Sequence, residues 1–211
     1  MPYPSKTDRQ TILSAAVKDL SRKGIRDLSL RNLAASLDLA PNAIYRYFSD
    51  RSALEAALAN EAARQLELAL RKAAAGCEPV TTIREMSSAY MKFARDKRHL
   101  YEVMMSFHAL DHDANSRQSL WAFTVEQVQR IAGSDRAAQA SVALWAFLHG
   151  AVTLEAAQVF GENKPASGLE FGLDAWLMAV SGPEQPMKAH QTKSNKRMAK
   201  RPRGNAAQNG E

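Results

Sequence analysis

Ser29-Leu-Arg-Asn-Leu-Ala-Ala-Ser-Leu-Asp-Leu-Ala-Pro-Asn-Ala-Ile-Tyr-Arg-Tyr-Phe-Ser-Asp-Arg-Ser-Ala-Leu54 is the stretch whose reading decides the fold. Ser29 can cap a helix whose apolar face is Leu30, Leu33, Ala34 and Leu37. Pro41 suits the first turn of a further short helix ending near Phe48. Two helices crossing at so tight a turn need a small residue at the crossing. They also need a residue that tolerates left-handed backbone four positions on, and an apolar residue about six later. Ala34, Asp38 and Ile44 stand at those places. Asp is not Gly, but a short polar side chain accepts the left-handed region more readily than most. Leu39 and Ile44 then pin the later helix onto the earlier one, and the unit reads as a helix-turn-helix.

Working outward, the helical period continues. Upstream, Ile12, Leu13, Ala16, Val17 and Leu20 recur at helix spacing, and Gly24 is placed to stop that helix. Downstream, Ser49 and Asp50 can cap a long helix through Leu54, Leu58, Ala62, Leu66 and Leu70, ended by Gly76 and Pro79. This helix is expected to be the one element touching both ends of the molecule. Further helices are expected from about Thr81 to Arg95, Arg98 to Phe107, Ser116 to Ile131, Arg136 to Phe160 and Leu169 to Val180. No segment alternates strictly and no long repeat occurs, so the fold class is all-α with about nine helices. The expected divisions are a helix-turn-helix domain at 6–66, a second helical domain at 67–181 and a tail at 182–211. From Gly182 onward apolar residues nearly vanish, and such a composition cannot offset chain entropy, so the tail is expected to be disordered.

The chain has 211 residues, a formal net charge of +6 and 45% hydrophobic residues, enough for a real core. Charge is uneven: net +4 over residues 1–52, net −3 over 53–181 and net +5 over 182–211. Basic ends point to a polyanion partner, although a basic tail is also compatible with a merely solvated end. The single cysteine, Cys77, excludes an internal disulfide and a cysteine-based zinc site. No apolar run approaches the roughly 20 residues of a membrane span, and the start lacks the apolar stretch of a signal peptide. The expectation is a soluble cytoplasmic protein without membrane contact.

The quoted stretch resembles the DNA-binding signature of the tetracycline-repressor (TetR) family, over roughly residues 8–58. The resemblance is carried by the preceding helix with Gly24, by Leu30-Arg-Asn-Leu-Ala34, by Ile44-Tyr-Arg-Tyr-Phe48, and by Arg51 with Leu54 behind it. Asp38 departs from the usual turn glycine, and Ala40 brings no capping side chain. The resemblance implies double-stranded operator DNA as partner. Asn42, Ala43 and Arg46 can face away from Ile44 and Phe48, and a helix in the major groove reads bases near its N-terminus. Arg can bond guanine bidentately and Asn can bond adenine. Tyr45, Tyr47 and Arg51 suit phosphate oxygens, which position the protein, and Ser29 and Arg31 meet the DNA backbone on the other side. The same aromatic and basic residues are also compatible with a core edge and a solvated face.

Trp145, His149 and Thr153 share one helix face, and the run Leu144 to Glu155 resembles the Trp-x-x-x-His-Gly signature of one C-terminal branch of the same family. That implies a ligand-sensing domain and a homodimer through the last two helices. A pocket for a small-molecule effector would draw on Tyr101, Met104, Met105, Trp121, Trp145 and His149, with Tyr90, Phe93 and Phe107 nearby. At helical spacing these residues fit a plain core equally, and His149 fits a satisfied structural residue. A ligand among Trp121, Trp145 and Met104 would tilt the long helix after Ser49. Gly150 fits either close packing at a dimer seam or room for a ligand. His108 and His112 are i, i+4 but fall in a loop-like stretch, so no metal and no cofactor are expected. No nucleophile elbow, phosphate loop or metal motif occurs, which argues against an enzyme. The leading expectation is a ligand-responsive repressor on a palindromic operator. The alternative is a non-specific helical nucleic-acid-binding or interaction protein without an effector.

Overall fold

The computed structural model describes residues 7–106, 115–159, 161 and 166–182. Phe107, His108, His112, Phe160 and the tail beyond 182 lie outside the described residues. Among those described, eight α-helices and one 3₁₀ helix account for the regular structure, and no strand occurs.

α1 (Arg9–Lys23) begins where the Asp8 carboxylate accepts the Thr11 N–H at 2.7 Å. It stops at Gly24, whose φ of +76° suits a residue without Cβ. α2 (Leu30–Ser36) is capped by Ser29, and its far end is a Schellman closure. Leu39 N–H donates to Ala34 O at 2.9 Å, and Asp38 N–H donates to Ala35 O at 3.2 Å. Asp38 takes the left-handed position at φ +54°, and Ala34 and Ile44 are fully buried. The spacing read from the sequence therefore holds at all three positions.

The next element differs from expectation. It is a 3₁₀ helix, Pro41–Arg46, and stops short of Phe48. Ala40 supplies no side-chain cap and Pro41 has no N–H. The backbone closes instead through tight bonds, Ala43 N–H to Ala40 O at 2.8 Å and Tyr47 N–H to Ile44 O at 3.0 Å.

α3 (Arg51–Ala74) follows, capped by Asp50. Its 24 residues span about 36 Å. Leu54, Leu58, Leu66 and Leu70 are buried along it. Ala57, Ala59, Ala62 and Ala63 are buried between them, and their small side chains let neighbours approach from several sides. α4 (Pro79–Asp96), α5 (Arg98–Ser106) and α6 (Asn115–Ala132) pack on α3. α7 (Ser134–Ala156) lies against α6 and α4, and α8 (Ala166–Ser181) lies against α7. One apolar core runs from Ile12 on α1 to Val180 on α8.

α7 ends before the expected Phe160. A second Schellman closure stops it, with Val159 N–H on Leu154 O at 3.2 Å and Gln158 left-handed at φ +53°. Among the described helices, α7 alone is long and apolar enough to cross a membrane. Asp135, Arg136 and Glu155 bound its apolar stretch, and only Gln139, Ser141, His149 and Thr153 break it from within. α8 approaches α7 closely: a Cβ on Gly172 would lie 2.4 Å from the Phe147 ring. Gly150, in contrast, meets nothing within 4 Å of where a Cβ would be among the described residues, so their packing does not explain it.

Candidate nucleic-acid interface and ligand groove

The 3₁₀ helix presents Asn42, Tyr45 and Arg46 to solvent, while Ala43 is half-buried and Ile44 and Phe48 anchor the element from behind. Arg31 is exposed on α2. Ser29 accepts the Asn32 N–H at 3.4 Å, a weak cap that leaves its hydroxyl hydrogen free to turn outward. Arg9, which sequence reading passed over, sets its guanidinium 4.9 Å from the centre of the Phe48 ring.

Two residues expected at phosphates, Arg51 and Tyr47, also bond within the chain. Arg51 donates to Ile25 O at 2.6 Å and Leu28 O at 3.1 Å, and its Nε pairs with Glu55 at 2.7 Å. Its fork thus ties the α1–α2 loop to the first turn of α3. The Tyr47 hydroxyl donates to Thr7 O at 2.9 Å and holds the chain entering α1. Both partners lie more than 20 positions away in sequence, beyond the reach of motif spacing.

The second feature is a groove of about 680 Å³ between α4, α5 and α7. Tyr101, Met105 and His149 line it, joined by Ala94, Val152, Thr153 and Ala156. Its rim carries two ion pairs, Arg95 Nε to Glu155 Oε1 at 2.6 Å and Arg98 Nε to Glu102 Oε1 at 2.7 Å. The Glu155 hydrogen bond raises the Arg95 pKa. Burial alone would raise Glu102, but bonds from Arg98 and His99 outweigh it and lower the carboxyl overall. Inside, Tyr90 and Tyr101 share a hydroxyl–hydroxyl bond of 2.8 Å, and Tyr101 meets His149 Nδ1 at 2.6 Å. Burial pushes both phenols above their ordinary value, so both stay protonated at any physiological pH.

The remaining expected pocket residues stand elsewhere. Met104 is buried in the core. Trp145 packs edge-on to Tyr90 with centroids 5.7 Å apart, and Trp121 lies 6.2 Å from Trp145. Trp145 borders a void of about 20 Å³ together with Tyr90, Leu144 and Leu148. The periodicity places Trp145 and His149 on one helix face, but successive turns of that face meet different neighbours. Arg95 and Glu155 went unnoticed because they pair across 60 positions of sequence.

α5 joins the two features. Tyr101, Glu102 and Met105 face the groove, while the His99 ring lies 3.4 Å from where a Cβ of Gly24 would stand at the end of α1. The long helix is therefore not the one link between the ends, because α5 also reaches α1.

A helix-turn-helix head on a larger helical body defines a DNA-binding transcriptional regulator. The family model described as "Bacterial regulatory proteins, tetR family" matches residues 12–58, and "Tetracyclin repressor-like, C-terminal domain" matches residues 83–175. The chain belongs to the TetR family of transcriptional regulators. No curated protein matches the sequence significantly. Among solved structures, a protein of unknown function from Rhodococcus sp. RHA1 is similar at a TM-score of 0.74 and 24% identity, covering 86% of this chain and 100% of that one. A possible TetR family transcriptional regulator from Streptomyces coelicolor A3(2) gives 0.63 and 20%, covering 82% and 98%. A TetR variant from Acinetobacter baumannii AYE in complex with minocycline gives 0.61 and 20%, covering 82% and 96%.

Proposed function

We propose that this chain is a ligand-responsive repressor that binds a palindromic operator as a homodimer in the cytoplasm. Arg46 and Asn42 read bases, Ala43 lies against them, and Tyr45, Arg31 and Ser29 hold phosphates. One short reading element covers few base pairs, so twofold symmetry is needed to specify a site, with the two heads about 34–36 Å apart. The dimer seam is formed by α7 and α8, whose outer faces leave Val142, Phe171 and Met178 largely exposed in the single chain. Gly150 on the same helix has open space around it, as close approach of a partner helix requires.

The observation that carries the ligand response is the double contact of α5, with the groove on one side and Gly24 of α1 on the other. A molecule filling the groove acts on DNA affinity only if it binds one setting of α5 better than the other. The relative with minocycline bound supports a small-molecule effector in this fold. The test is to sequence genomic fragments retained by the purified protein and then measure binding to the recovered site. A single symmetric site preferred by roughly 10³-fold or more, bound by a dimer in light scattering, is expected. Retention of fragments without sequence preference, with a steep salt slope alone, overturns the reading in favour of a non-specific binder.

A further inference from the structure

The chain of hydrogen bonds behind the groove has a direction. Each hydroxyl has one hydrogen to give, and neutral imidazole has one donating and one accepting nitrogen. Tyr90 is 2% exposed, and Tyr101 is its one hydrogen-bond partner among the described residues. If His149 Nδ1 carried the proton and donated to Tyr101, the three groups would hold three hydrogens for two bonds, and one buried phenol hydrogen, that of Tyr90 or of Tyr101, would be left without an acceptor among the described residues. A buried donor in that condition is costly, so the opposite polarity is favoured. Tyr90 donates to Tyr101, Tyr101 donates to His149 Nδ1, and the imidazole hydrogen sits on Nε2. That nitrogen has no partner among the described residues, and His149 is half-buried in the wall of the groove.

The surroundings narrow the choice of ligand. Ala94, Met105, Val152 and Ala156 make the groove apolar. The rim charges cancel in two close pairs, so an anion meets two carboxylates as it meets two guanidinium groups, and a cation fares no better. We infer that the groove takes an uncharged, largely apolar molecule carrying a carbonyl oxygen, which accepts a hydrogen bond from His149 Nε2–H. This rests on the groove being the effector site proposed above. Its volume lies in the range of sites for drug-sized molecules.

Three probes of similar shape test the ligand class on the full chain: benzophenone, diphenylmethane and 4-benzoylbenzoate. Titration calorimetry should give benzophenone an affinity about tenfold above either of the others, near the upper end of what one neutral hydrogen bond returns. In ¹⁵N-imidazole spectra, with the resonance assigned by its loss in His149→Gln, the free protein should carry its proton on Nε2. That signal should move on addition of benzophenone and stay in place with diphenylmethane. Equal affinities, tighter binding of the carboxylate, no binding of the ketone, or a proton on Nδ1 each overturn the inference. Operator release is read separately. If benzophenone binds with the stated preference and the protein stays on its DNA, the ligand class stands and the regulatory reading of the groove falls.

Discussion

The turn of the head and the wall of the groove are built from bonds of different range. From Ala34 to Phe48, the contacts that fix the backbone join residues three to five apart: Leu39 to Ala34, Asp38 to Ala35, Tyr47 to Ile44. In the groove, Tyr101 meets His149 across 48 positions and Arg95 meets Glu155 across 60. A local element carries its geometry with it, and its parts need only find one another along a few residues of chain. A long-range site exists only once α4, α5 and α7 have docked, and it changes whenever they shift. The turn of the head therefore rests on near neighbours in sequence, while the groove wall rests on how α4, α5 and α7 are docked.

The sharpest break in that comparison comes from the residue pinning the turn. Ile44 is fully buried, and Ile44→Ala leaves a cavity between the 3₁₀ helix and α2. Loss of stability should be about 3 kcal/mol, read by urea denaturation, with operator binding lost as well. Met105, half-buried at the groove, should tolerate the same truncation at well under half that loss, because the side chain it exposes already borders open space.

Arg51 tests whether the head is as self-contained as its turn. Its fork holds two carbonyls of the α1–α2 loop. Arg51→Ala should lower stability by about 2 kcal/mol, and Arg51→Lys should recover little, since an ammonium cannot span both carbonyls in one plane. If instead the variant keeps its melting temperature and loses affinity for every DNA sequence alike, the phosphate assignment made from spacing returns.

The same contrast decides what the sequence could reveal. Ala34, Asp38 and Ile44 are legible because a helix-turn-helix fixes their separation, and each α-helix shows in the apolar period, although the element at Pro41 closes as a 3₁₀ helix and α7 ends short of Phe160. The bonds that Arg51 and Tyr47 make within the chain are not legible in the sequence, because their partners, Ile25, Leu28 and Thr7, are set by tertiary docking. Trp145 was placed on the correct helix face, but only docking reveals that this face meets the core at Trp145 and the groove at His149. Periodicity gives the direction in which a side chain points and is silent about what stands there.

A smaller effect is expected at Tyr101. Tyr101→Phe deprives Tyr90 of its acceptor and His149 of its donor. Stability should fall by about 1–2 kcal/mol, seen as a lower melting temperature. Operator affinity in the absence of any effector should stay within about twofold, because the head makes its own turn. A large loss of DNA binding would show that the groove wall sets the resting position of the heads.

The smallest effects compare two helix ends that use the same closure in the two halves of the chain. Asp38 and Gln158 each occupy the left-handed position after a helix, at φ +54° and +53°, and both are exposed. Left-handed backbone costs an L-residue roughly 1–2 kcal/mol, and Gly escapes that cost. Asp escapes part of it, because its short polar side chain bonds locally, whereas Gln is one methylene longer and does so less well. Gly also has more freedom to lose on folding, which takes back some of the gain. Gln158→Gly should therefore stabilise the protein by about 1 kcal/mol, and Asp38→Gly by about half that. Chemical denaturation of the two variants against the parent measures both. A larger gain at Asp38 would mean that the turn of the head is held under strain by the docking of the 3₁₀ helix, so that its geometry is not purely local. A loss at Gln158 would mean that its side chain is needed where α7 ends, beside the groove residues Glu155 and Ala156.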